Sequence, residues 1–375
     1  MNSRSVIHYC DSMSFGGAEQ ALLTLLSGLD QERWRMTLAY HASPGVQTLL
    51  GAARQQHVAL WGIAPMPEGA TGLRRVPGLV AALRHIRPDV FHAHLTWQRS
   101  CKYGLLAAAL ARVPAILATV QLLVELPLTG TERMKSILMS QGVHRYLAVS
   151  QATARRLVLE QGIAARRIRV VPNAVRPHQA DHMQAEQLRA TLAHGRPLVL
   201  ALARLVAQKG LNTLIDAAAL ASEACFVIAG EGPLRASLEG QIAALGLHER
   251  VRLLGFRHDT AELLEACDML VLPSHHEGLP LALLEGMAAG RPAIASAIGG
   301  NDEAVLHGET GILVAAGDAT ALARAVRTLV ASPELRLRMG EAALKRVRHS
   351  FSQTAMVATI ASSYEDVLAE RVRRA

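Results

Sequence analysis

Short apolar runs rich in β-branched residues alternate with longer helical patterns along the whole chain, and few folds accept that rhythm. In the first half the predicted strands are Val6–Tyr9, Met36–Tyr40, Asp89–His92, Ile116–Thr119, Tyr146–Val149 and Ile168–Val171. In the second half they are Leu198–Ala203, Phe226–Ala229, Val251–Leu254, Met269–Leu272, Ala293–Ala295 and Ile312–Val314. Runs this short and continuous, separated by ten or more helical residues, predict parallel strands covered on both faces. At roughly 150 residues per domain, 375 residues suit two such domains, each an α/β, doubly wound sheet. With 5 Phe, 3 Trp and 5 Tyr, the cores must be built from Ala, Leu, Val and Ile. The break is expected in the polar stretch Arg176–Arg196. That gives a first domain over 1–178, a second over 179–351, and a last helix from about 352–375.

Charge divides the chain near the same place. Residues 1–175 hold 19 Lys/Arg against 9 Asp/Glu, a net +10, while residues 176–375 hold 20 against 22, a net −2. A basic first half suits an anionic partner, and a phosphorylated acceptor or an anionic membrane surface fits it as well as nucleic acid does. Nucleic acid is not expected, because there is no zinc-finger spacing, aromatic RNP-type strand or basic heptad region. Cys10, Cys101, Cys225 and Cys267 form no CxxC pair and read as small buried hydrophobes in a reducing compartment. The start MNSRSVIHYC lacks a signal-peptide pattern, and no apolar run reaches the ~18 residues of a membrane span. The expected location is cytoplasmic, with peripheral contact at the cytoplasmic face of the inner membrane through the basic half.

In a doubly wound sheet, ligands lie beyond the carboxyl ends of the strands, so chemistry is sought just after each run. After the first comes Gly16-Gly17-Ala18-Glu19, opening a helix whose free N–H groups suit an anion; an ordinary glycine turn explains it equally well. After Leu198–Ala203 stand Arg204 and, five residues on, Lys209-Gly210, two cations placed to clamp a diphosphate or simply to be solvated. Gly230-Glu231-Gly232-Pro233 reads as a backbone turn. After Met269–Leu272 the chain runs from Pro273 to Pro292 through Glu277, Gly278, Leu279 and Glu285, with Pro280 where a helix would begin. Glu277 sits in the loop, free N–H groups around Gly278 and Leu279 could face phosphate, and Glu285 is expected to be embedded among Leu283, Leu284 and Met287. His275 and His276 read as loop residues.

Taken together these pieces resemble glycosyltransferase family four, retaining enzymes that use nucleotide sugars and have the GT-B fold, two Rossmann-like domains facing across a cleft. Val171-Pro172-Asn173-Ala174-Val175, Gln208, Leu254-Gly255-Phe256, Gly299-Gly300 and Thr310-Gly311 extend the match, which runs from residue 16 to about 318. The resemblance implies that Arg204 and Lys209 neutralise the departing diphosphate, Glu277 binds donor-sugar hydroxyls and Glu285 the ribose. It also implies that the base lies near Phe256 and Arg257, and that Gly16 and Gly17 approach the diphosphate from the first domain. No metal or other cofactor is expected, the two cations doing a metal's work. The last helix would pack back on the first domain.

One position departs from the family. Gln121 stands where histidine is common, and His94, with His92, is the nearest substitute; a structural role for His94 is the plainer reading. The expected activity is transfer of a hexose, from a UDP sugar, to a glycan or lipid-linked saccharide in polysaccharide or lipopolysaccharide synthesis. The alternatives are another GT-B enzyme, such as a nucleotide-sugar epimerase or a phosphorylase, and a non-catalytic basic binding protein.

Overall fold

The computed structural model describes residues 3–124, 140–176 and 179–373. They form two compact units, the first comprising residues 1–174 and 353–375 and the second residues 175–352. The division falls just before the polar stretch from Arg176 to Arg196. That stretch is not a linker: most of it is a helix of the second unit, His182–Ala193, started by the Asp181 carboxylate accepting Gln184 N–H at 3.2 Å.

The first unit holds seven parallel strands: β1 (Arg4–Cys10), β2 (Trp34–His41), β3 (Ala59–Ile63), β4 (Val90–Leu95), β5 (Ala115–Val120), β6 (Arg145–Ala148) and β7 (Ile168–Val170). Their order across the sheet is β3-β2-β1-β4-β5-β6-β7. β4 and β5 are buried at every residue, as strands covered on both faces must be. β3, ALWGI, is an edge strand that is only half-buried; its short apolar run was not read as a strand from the sequence.

Helices α1 (Gly17–Leu26), α2 (Gln47–Gln55), α3 (Ala70–Ile86), α4 (Lys102–Ala111) and α5 (Gln151–Leu159) join these strands. One face of the sheet packs on α1 and α2 through Leu22, Leu25, Leu49 and Ala53. The other packs on α3, α4 and α5 through Val76, Leu83, Ala108 and Leu157. Counting helices only among the described residues, the last of the chain is Gln353–Val372, α14 here. It returns to the α1 face with Met356, Val357, Ile360, Tyr364 and Val367 buried, and the Tyr364 ring meets Trp34 edge-on at 5.2 Å.

The second unit has six parallel strands: β8 (Leu198–Leu202), β9 (Cys225–Ala229), β10 (Val251–Gly255), β11 (Met269–Leu272), β12 (Ala293–Ser296) and β13 (Gly311–Val314). Their order is β10-β9-β8-β11-β12-β13, the doubly wound 3-2-1-4-5-6 arrangement. Its helices are α6 (His182–Ala193), α7 (Leu211–Leu220), α8 (Arg235–Ala244), α9 (Thr260–Ala266), α10 (Leu281–Ala288), α11 (Asn301–Ala304), α12 (Ala319–Ala331) and α13 (Pro333–Ser350). Ser332 caps α13 by accepting Leu335 N–H at 3.2 Å, with Pro333 in the first turn where its missing N–H costs nothing. Both sheets reverse their winding at one point, between β1 and β4 in the first unit and between β8 and β11 in the second. The four cysteines are buried and free.

Candidate active site

The loops after β8 and β11 leave neighbouring strands at the reversal point of the second sheet, and their backbones are tied together. His275 N–H donates to the Gln208 carbonyl at 2.8 Å, and the Gln208 side-chain amide donates to the His276 carbonyl at 2.7 Å. Gly210 makes this approach possible: its φ is +60°, and a Cβ there would lie 2.1 Å from the Pro273 carbonyl oxygen. The third loop, after β9, joins through Leu205 N–H to the Glu231 carbonyl at 2.9 Å. Gly230 and Gly232 thus serve the backbone, as their turn pattern suggests.

Within that frame Lys209 Nζ lies 2.5 Å from Glu277 Oε1, with the two side chains only 15% and 7% exposed. Ser274, fully buried, donates its hydroxyl to the same oxygen at 2.7 Å. Both contacts fall on Oε1, and Oε2 makes no hydrogen bond among the described residues. Arg204 lies two residues beyond β8, exposed, and its guanidinium forms no hydrogen bond or ion pair among the described residues. The loop is thus a fixed carboxylate beside one neutralised and one open cation.

Gly278 and Leu279 are buried rather than presented to solvent, and Gly300 wedges the loop from behind: a Cβ there would stand 1.8 Å from the Gly278 carbonyl oxygen. Glu285 follows on α10, but it is half-buried and not embedded as the sequence suggested. Leu283, Leu284 and Met287 take the inward face of the helix, which turns Glu285 toward its flank. Phe256 is 56% exposed just past β10, its ring edge-on to His258. The Arg257 guanidinium is committed to Asp259, whose carboxyl it holds below the usual range.

In the first unit Gly16 is the N-cap of α1 with no side-chain cap, and Gly17 opens the helix. A Cβ on Gly17 would meet nothing within 4 Å, so protein packing does not explain this glycine. Gln121 forms a reciprocal amide pair with Asn173, at 2.8 and 3.2 Å. These two, with His94, Thr119, Leu22 and Met356, line a cavity of about 20 Å³, room for one water.

His94 is not on a loop. It lies within β4, 4% exposed, and its Nε2 is 3.1 Å from His8 Nδ1. His92 pairs Nδ1 with the Tyr364 hydroxyl at 2.7 Å and Nε2 with Thr119 Oγ1 at 2.8 Å. Burial lowers all three histidines, His8 to about 3; His94 and His8 depress His92 further, and His8 depresses His94, so the cluster is neutral. Among the described residues it is the one group of three or more side chains of metal-ligating type whose ligand atoms lie within 4.8 Å of one another. Most of its ring nitrogens already bind protein, and no carboxylate joins it. Sequence reasoning missed His8, Ser274 and Tyr364. The first is seen only when β1 and β4 are paired, setting His8 opposite His92; Ser274 carried the fainter signal of a polar residue ending a buried run.

Two doubly wound sheets, with a cationic and acidic loop at the reversal point of one, make the α/β architecture that takes its ligands beyond the carboxyl ends of the strands. The chain belongs to the group 1 glycosyl transferases: residues 184–346 match the model for glycosyl transferases group 1, and residues 15–179 match that for glycosyltransferase family 4. It is 30% identical over 305 residues to 2-deoxystreptamine glucosyltransferase of Streptomyces kanamyceticus, covering 72% of this chain and 78% of that one. The chain spans about half the length of the first curated relatives it resembles. Lipopolysaccharide core biosynthesis glycosyltransferase LpsE of Rhizobium meliloti is 34% identical over 175 residues, 47% of this chain and 50% of the relative. The fold is GT-B, shared with Anabaena HepE in complex with UDP and glucose at a TM-score of 0.84 and 22% identity, over 97% of this chain and 100% of that one. No helix among the described residues is long and apolar enough to cross a membrane.

Proposed function

We propose that the chain is a retaining hexosyltransferase, moving a hexose from a UDP sugar to a glycan or lipid-linked saccharide in lipopolysaccharide or other cell-surface polysaccharide synthesis. The observation that carries this reading is the buried Lys209–Glu277 pair beside the unpaired Arg204, at the point of the second sheet where such folds bind ligands. Arg204 and Lys209 take up the negative charge that grows on the diphosphate as its bond to the sugar breaks. Glu277 holds sugar hydroxyls, Glu285 the ribose, and the backbone near Phe256 and Arg257 the base, with Gly278 and Leu279 supporting the loop. Gly16 and Gly17 leave the N-terminus of α1 open to the donor. The new bond forms on the face the diphosphate leaves, and the acceptor's proton passes to the departing phosphate oxygen. His94, neutral and bonded to His8, walls the cavity beside Gln121 and does not need to accept that proton. No metal enters the scheme, because two cations meet the charge. The names of the relatives support the class of product, and HepE's bound UDP supports the nucleotide.

The test is Arg204→Ala. Its side chain bonds nothing among the described residues, so melting should be unchanged while kcat/KM falls by about 100-fold or more. Full activity overturns the assignment. Incubation with donor alone must give no epimerised sugar nucleotide, and UDP must raise the melting temperature above GDP or ADP at equal concentration.

A further inference from the structure

Helices α3 and α4 lie side by side over one face of the first sheet, their inner sides held by Val76, Leu79, Leu83 and Ala108. Their outer side has two properties together. Between Glu68 and Glu125 the sequence has seven Lys/Arg and a single acid, Asp89, and that carboxylate is taken by the Ser5 N–H and hydroxyl. Lys102 is neutralised by Glu68, but Arg74, Arg84, Arg87 and Arg112 are exposed and form no ion pair among the described residues. Among these cations stand large aliphatic side chains in solvent: Leu73 is 54% exposed and Leu110 52%. Arg84 donates to the Leu110 carbonyl at 3.1 Å, which sets a guanidinium beside an exposed leucine.

We infer that the α3–α4 face docks on an anionic lipid bilayer, the arginines meeting phosphate headgroups and Leu73 and Leu110 entering the headgroup–acyl boundary. Unpaired cations alone would suit any polyanion, since they attract phosphate without specificity. The exposed leucines decide between partners: they gain nothing from a nucleic-acid backbone, but they gain free energy on leaving water for acyl chain. A surface holding both is complementary to a lipid interface. This inference stands apart from the donor site, because it concerns binding and needs no turnover.

The experiment is flotation of the full chain with vesicles of phosphatidylcholine, with or without about a third phosphatidylglycerol. Binding is expected only to the anionic vesicles, and it should weaken as salt rises. Replacing Arg74, Arg84, Arg87 and Arg112 together with Gln should weaken it at least tenfold. Leu73→Ser with Leu110→Ser should weaken it several-fold even at low salt. A control with Arg54, Arg324, Arg327 and Arg348 changed to Gln has the same net charge and should bind as the parent does. Absence of binding, equal binding to neutral vesicles, or equal loss in the control would overturn the inference. So would indifference to the leucine changes together with equal affinity for duplex RNA.

Discussion

Two glycines of this chain's motifs differ in what faces their Cα atoms: backbone at Gly300, open space at Gly17. At Gly300 a methyl group would fall 1.8 Å from a backbone oxygen, so the loop holding Glu277 must move to accept it. Gly300→Ala should cost roughly 2–4 kcal/mol by denaturant unfolding and lower activity with it. At Gly17 a methyl group meets open space, at the first position of a helix. Gly17→Ala should leave stability unchanged or raise it by about 0.5 kcal/mol, yet reduce turnover if the proposed donor uses that space. If Gly17→Ala were fully active, α1 would lose its proposed place at the diphosphate. The sequence marked both glycines but could not separate them, because the difference lies in what faces each Cα.

At the scale of elements, α14 joins the first unit by more than its apolar stripe. The Tyr364 hydroxyl is bonded to His92 in the middle of β4, which bonds Thr119 on β5, so one polar chain crosses from helix to sheet inside the core. Tyr364→Phe keeps the ring against Trp34 but leaves a buried imidazole nitrogen without its partner. A loss of roughly 1–3 kcal/mol in unfolding free energy is expected, and no loss would mean that water replaces the hydroxyl. The amphipathic period of this helix was legible from Ser352 onward. Its polar tether was not, because nothing near Tyr364 in sequence signals a histidine 272 residues away.

For the whole molecule, three buried neutral histidines set an acid limit. Each is held below its ordinary value near 6.5 in the folded state, His8 to about 3, whereas the unfolded chain protonates normally. The unfolded state therefore binds more protons below about pH 6.5, and stability must fall as pH drops through that window. Each histidine contributes a slope of up to ~1.4 kcal/mol per pH unit. His8→Gln should flatten the dependence between about pH 6 and pH 4 by about one histidine's share, measured as unfolding free energy against pH. An unchanged slope would mean that water reaches the cluster.

The alternation of apolar runs with helical patterns was enough to place twelve of the thirteen strands among the described residues, because a strand covered on both faces is largely apolar; the missed one is the half-exposed edge strand β3. Order along the chain also placed Arg204, Lys209 and Glu277 just after strands. The tertiary structure decided which of those strands are neighbours, and so which side chains meet. Lys209 and Glu277 are 68 residues apart and touch only because β8 and β11 are adjacent where the winding reverses, while His8 and His94 share a core only because β1 lies beside β4. Periodicity is a property of the local chain; adjacency is set by the packing of the whole sheet.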